Sequence, residues 1–235
     1  MKKLGFGMMR LPLLNEEDKK SIDKKTVCQM VDTFMERGFT YFDTAYMYHE
    51  YESERAMKDV LVTRKDRDSY TLASKLPVMQ LKEKEDMERI FNEQREKCGV
   101  EYFDYYLLHA LDAEHYKTVK RLDCFGFAMQ KKAEGKVKHV GFSFHDSAEV
   151  LDQILTEHPE AEFVQLQLNY LDWEDAKVQS RKCYETAVKH GKKVVVMEPV
   201  KGGSLVNLPD EAKAVLDALH GGSPASYAIR FAAGF

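Results

Sequence analysis

Four polar side chains in this sequence could together move a proton. The run Gly38-Phe39-Thr40-Tyr41-Phe42-Asp43-Thr44-Ala45 reads as a buried strand ending in a carboxylate, with Tyr48 five residues beyond Asp43. Two later apolar runs each end in one polar residue: Leu72-Ala73-Ser74-Lys75 and Tyr105-Tyr106-Leu107-Leu108-His109. Asp43, Tyr48, Lys75 and His109 form an acid/base set able to protonate a carbonyl oxygen. Tyr48 is the candidate donor. A free tyrosine has a pKa of about 10, too high for an efficient acid near neutral pH, and a nearby cation lowers it. Lys75 is the natural cation, Asp43 its natural partner, and His109 is available to orient the carbonyl. No Ser-His or Cys-His pair supplies a nucleophile, and a hydride from a nicotinamide cofactor fits that gap. A Schiff base on Lys75 is the rival chemistry, opposed by Asp43, which keeps an amine protonated. Taken singly, each residue has a plainer reading: a helix cap, an exposed lysine, a core histidine. Their succession at strand ends favours the site.

The elements that must carry these residues are short apolar strands alternating with amphipathic helices. Strands are expected at Leu4–Met8, Thr40–Thr44, Tyr70–Ser74, Tyr105–Leu108, His139–Ser143, Val164–Leu168 and Lys193–Met197. Several are apolar on both faces, as parallel strands between helices should be. Val27, Met30, Val31, Phe34 and Met35 form a helical stripe that Gly38 can end. Ser53 opens the next helix, with Met57, Val60 and Leu61 inward, and Ser147 opens another that Pro159 stops. Polar strand ends recur at intervals of about 26 to 34 residues, the period of a β/α barrel. No G-x-G-x-x-G follows an early strand, so an open doubly wound sheet lacks support. The fold class is therefore α/β, a (β/α)8 TIM barrel. Only seven strands are legible. After the seventh come helical stretches at Asp210–Leu219 and Ala225–Ala233, so the expectation is one barrel domain over residues 1–235, truncated before strand eight and the C-terminal helix.

The bulk composition fits a soluble globular protein. Its 235 residues are 44% hydrophobic and 31% charged, and 35 basic against 39 acidic residues give a net charge of -4. That balance offers no field for nucleic acid. No apolar run approaches the roughly 20 residues of a membrane span, and none resembles a signal peptide. Cys28, Cys98, Cys124 and Cys183 have no metal-ligand spacing and read as reduced thiols of a cytoplasmic protein. His145-Asp146 reads as the approach to a helix cap rather than a metal pair. Trp173 is either a pocket aromatic or a packing residue.

Phe42-Asp43-Thr44-Ala45-x-x-Tyr48, the Lys75 strand end, Leu107-Leu108-His109 and the run Gly135 to Ser143 together resemble the aldo/keto reductase family, over essentially the whole chain. The resemblance implies an (α/β)8 barrel and NADPH-dependent reduction of aldehydes or ketones, a small-molecule carbonyl being the substrate. It puts Asp43, Tyr48, Lys75 and His109 on the family tetrad. Ser143 and Gln165 fall on positions that hold the nicotinamide carboxamide, Met197 on one that flanks the ring, and Gly202 and Gly203 on a loop near the pyrophosphate. Phe144-His145-Asp146 replaces the Asn that many members carry after the serine, and Met197 replaces an aromatic ring. These runs look like a bacterial subgroup whose members often add a ferredoxin-like domain, of which nothing is seen here. In the family, strand eight and its helix bind the adenosine 2′-phosphate. Without them, the alternative expectation is a weakly active or inactive nicotinamide- or partner-binding module. A second copy or a partner would then cover the open barrel edge.

Overall fold

A computed structural model describes residues 2–235, and two compact units divide it, the first ending at Ser143 and the second running from Phe144 to Phe235. The first holds β1 (Gly5–Gly7), α1 (Lys24–Glu36), β2 (Tyr41–Asp43), α2 (Ser53–Met57), β3 (Thr71–Leu76), α3 (Glu85–Cys98), β4 (Phe103–Leu111), α4 (Ala113–Leu122), α5 (Cys124–Ala133) and β5 (Val137–Phe144), whose last residue opens the second unit. The second continues with α6 (Ala148–Glu157), β6 (Phe163–Gln167), α7 (Ser180–Lys189), β7 (Lys193–Met197), α8 (Asp210–Asp217) and α9 (Pro224–Ala232). Strands β1 to β4 pair parallel in sequence order, as do β6 and β7. This strand–helix repeat is that of the α/β TIM-barrel class, with seven strands among the described residues.

Within the first unit, the register fixes which residues share a face. Asp43 lies opposite Gly7 and Ala73, and Lys75 opposite Leu107. The side-chain period of two then puts Tyr41 and Asp43 on one face of β2 and Phe42 on the other. Phe42 packs on Phe34 of α1 and on Phe6. Tyr106 of β4 meets Phe91 of α3 edge-on at 5.1 Å. These helix-side contacts form the core and leave the other face for the polar set. In the second unit, Leu151, Ile154 and Leu155 of α6 are buried, as are Val164 and Leu166 of β6 and Ala187 of α7.

Several sequence expectations shift by one to three residues. β7 has the expected ends, but β3 runs on to Leu76 and β4 on to Leu111. Lys75 and His109 are therefore strand residues, not the first residues after strands. Gly38 ends α1 with φ +78°, which a glycine adopts without strain. Met30 is 40% exposed although it shares the α1 stripe. It lines an open groove beside α1 with Leu4, Phe6 and Phe39. Ser147 caps α6 by accepting the Val150 amide at 3.4 Å. Trp173 belongs to an aromatic cluster with Tyr184, Phe231 and Phe235. Among the described residues, no helix is long and apolar enough to cross a membrane.

Candidate active site

The centre of the site is a buried ammonium. Lys75 is 1% exposed, and its Nζ donates to Asp43 Oδ1 at 2.5 Å, to the Thr44 carbonyl at 2.8 Å and to Tyr48 Oη at 3.3 Å. An ammonium has three protons and no acceptor, so these three bonds use its whole capacity. Burial by itself pulls the Lys75 pKa down, but the Asp43 carboxylate and the Tyr48 phenol beside it win and hold it above its ordinary value. Lys75 thus stays charged without water. Its Nζ also stands 4.9 Å from the centroid of the Tyr48 ring, within cation–π range.

Tyr48 is half-buried where Asp43 and Lys75 are buried. Because Lys75 can only donate, Tyr48 Oη accepts in that bond, and the phenol proton turns away from the ammonium. The His109 ring, 8% exposed, meets the Tyr48 ring edge-on at 5.8 Å. Asp43, Tyr48, Lys75 and His109 are all brought together in the first unit.

The loop that delivers Tyr48 is fixed at both ends. The Thr44 amide donates to the Ala73 carbonyl at 3.0 Å, carrying the β2–β3 ladder one residue past Asp43. The Thr44 and Ser53 hydroxyls are 2.8 Å apart, which ties the loop's start to α2. The Tyr48 amide donates to the Ala45 carbonyl, and the Tyr48 carbonyl accepts from the Ser53 amide. His49 then pins the turn to the preceding segment. Its Nε2 accepts from the Leu11 amide at 3.2 Å, which leaves Nδ1 to donate to the Lys19 carbonyl at 2.8 Å.

Ser143 is 1% exposed, and its Oγ accepts the Ala110 amide at 2.7 Å, just after His109. The remaining sequence candidates sit in the second unit. Gln165 is buried on β6, and Met197 is half-buried at the end of β7. Gly202 and Gly203 turn the chain after β7 with φ of +63° and +101°. A Cβ at Gly203 would meet nothing within 4 Å, so its backbone is open to close approach. Asp172, 2% exposed, holds this loop by accepting from Lys201, from Gln167 at 2.8 Å and from Asn169 at 2.7 Å.

Two features escape the sequence reading. Tyr41 Oη donates to Asp43 Oδ2 at 3.3 Å, and the signal was present, since residues two apart on a strand share a face. Glu54, Ser74, Gln94 and Tyr106 form a buried hydrogen-bonded group behind β3, and their polarity alone does not announce it.

The model of the aldo/keto reductase family matches residues 3–233. No curated protein matches the chain by sequence. Among solved structures, the chain is similar to a thermostable aldo-keto reductase crystallised with the inhibitor epalrestat, at TM-score 0.72 and 19% identity, covering 96% of this chain and 78% of that one. It is also similar to an aldo-keto reductase from Klebsiella pneumoniae in complex with NADPH, at TM-score 0.69 and 18% identity, covering 95% and 74%. A third likeness is an aldo/keto reductase from Brucella melitensis, at TM-score 0.69 and 20% identity, covering 97% and 78%. At these identities the structural likeness speaks to the fold.

Proposed function

The chain belongs to the aldo/keto reductase family of oxidoreductases, and from that premise we propose that it reduces a small aldehyde or ketone to its alcohol with NADPH. One observation carries the reading. A buried, charged Lys75 is divided between Asp43 and the phenol oxygen of a half-buried Tyr48.

In this reading Tyr48 Oη gives its proton to the carbonyl oxygen. The phenolate left behind is stabilised by the Lys75 ammonium, which lowers the cost of the transfer near neutral pH. Asp43 keeps that ammonium protonated and in place. His109 orients the carbonyl oxygen toward Tyr48.

Each unit, taken by itself, carries groups of the kind that a nicotinamide nucleotide takes: the Ser143 hydroxyl in the first, and in the second the Gln165 amide, the Met197 thioether and the Gly202–Gly203 backbone. When bound, NADPH supplies the hydride.

The test is NADPH oxidation by the purified protein with a panel of reactive carbonyls, then the same assay with Tyr48→Phe. A loss of about 10²–10⁴-fold is expected, the usual range for a general acid. Turnover that survives Tyr48→Phe rules out the proton role. Calorimetric binding of NADPH without turnover on any carbonyl favours a binding module instead.

A further inference from the structure

We propose that Tyr41 is a positioning residue for the acid/base set: its hydroxyl holds Asp43 Oδ2 while Lys75 holds Oδ1, which fixes the carboxylate and so the charge shared with Tyr48. This rests on the carbonyl-reduction reading above and adds a residue to it.

Three observations carry it. The first is the hydrogen bond of 3.3 Å from Tyr41 Oη to Asp43 Oδ2, which continues the chain Tyr41, Asp43, Lys75, Tyr48 without a break. The second is that the fold makes room for the Tyr41 ring. Tyr41 lies opposite Gly5 of β1, and a Cβ at Gly5 would stand 2.7 Å from Tyr41 Cδ1. The third is a clamp on the ring's other side. Tyr105 meets Tyr41 edge-on at 5.3 Å and is itself stacked on His139 at 5.1 Å. Desolvation first, then the Asp43 charge, pushes the Tyr41 phenol well above its ordinary value. Tyr41 therefore remains a donor wherever the protein is folded.

The consequence is electrostatic. A hydrogen bond to Oδ2 spreads the carboxylate charge away from Oδ1. Without it, Asp43 takes more of the Lys75 charge, less reaches Tyr48, and the phenol becomes a weaker acid.

Tyr41→Phe keeps the ring and deletes only the hydroxyl. The expected result is a kcat lower by about 3- to 10-fold, with KM for the carbonyl unchanged and the alkaline limb of the kcat profile moved up by about half a pH unit. A merely structural role would lower the folded fraction, and with it the apparent kcat at unchanged KM, but would leave the alkaline limb where it is. A second readout needs no turnover: the carboxyl-carbon chemical shift of Asp43, by NMR in aspartate-labelled protein at neutral pH. It should move in Tyr41→Phe, because the hydrogen bond to Oδ2 is gone. If Tyr41→Phe does not fold, Gly5→Ala, which crowds the ring and keeps the hydroxyl, is read in the same spectrum. An Asp43 resonance that neither change moves overturns the role of Tyr41. Absence of wild-type turnover on every carbonyl would count against the reductase reading alone, since the spectrum still decides on Tyr41.

Discussion

Gln94 of α3 donates through Nε2 to the carbonyl oxygen of Lys75 at 2.9 Å. The residue whose ammonium serves one face of β3 is thus held by its backbone from the other. Since a carbonyl only accepts, the amide nitrogen of Gln94 must face it, and the amide oxygen accepts the Tyr106 hydroxyl at 2.6 Å. The same nitrogen reaches Ser74 Oγ at 3.0 Å and Glu54 Oε1 at 2.8 Å, and Ser74 donates to Glu54 at 2.7 Å. Glu54, Ser74, Gln94 and Tyr106 are all fully buried. Helices α2 and α3 are bolted to β3 at the level of Lys75.

Gln94→Leu should therefore cost more than one hydrogen bond. It leaves Tyr106, Ser74, Glu54 and the Lys75 carbonyl short of a partner where no water reaches. Buried unsatisfied groups of this kind cost about 1–3 kcal/mol each, partly relieved by rearrangement, so a loss of about 2–4 kcal/mol is expected. At about 2–4 °C per kcal/mol for a chain of this size, Tm should fall by about 4–16 °C. Thermal unfolding checks it, and a Tm within a degree of wild type would mean that the network adds nothing to stability.

Glu54→Gln should change how stability depends on pH. Burial pushes Glu54 above its ordinary 4.5, against the pull of the Ser74 and Gln94 hydrogen bonds. The folded protein then keeps this proton where the unfolded chain has released it. Stability from this group is full below the unfolded value and is lost as pH rises through the folded one. The amide introduced by Glu54→Gln cannot ionise, so in denaturant titrations across the weakly acidic range the variant should gain on wild type as pH rises. Parallel curves for the two proteins would show that Glu54 titrates normally.

Much of this site was legible because spacing carries it. Asp43 and Tyr48 are five residues apart on a strand and its following turn, and the β7 bounds match residue for residue. Lys75 and His109 read as strand ends because a polar residue closes each apolar run. In the fold, β3 and β4 continue past them, since Leu76 and Leu111 are fully buried and extend the ladders. Gln94 was not legible. Its helix carries Glu85, Asp86, Glu88, Glu93 and Glu96, so one more polar residue reads as solvent face. What buries it is the Lys75 carbonyl, a tertiary partner that no period in the sequence announces. Met30 fails in the opposite sense. The stripe places it inward, but the groove beside α1 leaves it uncovered.

Asp172→Ala should loosen the loop after β7. Burial alone would raise the Asp172 pKa, but hydrogen bonds from Lys201 first, then Gln167 and Asn169, win and hold it below its ordinary 3.8. A depressed carboxylate stabilises above its unfolded pKa and loses that stabilisation as pH falls through the folded one. The tether is therefore at full strength near neutral pH and fails only in strong acid. Amide hydrogen exchange over residues 199–206, corrected for intrinsic rate, should be about tenfold faster in the variant near neutral pH. Equal exchange in the two proteins would mean that the glycine turn holds itself.

Glu50→Gly should stabilise the protein. His49, Glu50 and Tyr51 follow one another with φ of +50°, +51° and +75°, three left-handed residues in a row directly after Tyr48. Each costs a side-chain-bearing residue about 1–2 kcal/mol that glycine does not incur. The three are not equivalent. His49 holds the Leu11 amide and the Lys19 carbonyl, while Tyr51 packs on Tyr46 and accepts from Gln80. Among the described residues Glu50 offers only an exposed ion pair with Lys20 at 3.7 Å, and such pairs contribute little. After the extra entropy of glycine in the unfolded chain, a gain of about 0.5–1 kcal/mol remains, or roughly 1–4 °C in Tm. His49→Gly and Tyr51→Gly should both lose stability, because their contacts outweigh the relief. Unfolding of the three variants side by side tests the ranking, and Glu50→Gly melting below wild type would show that Glu50 itself holds the turn.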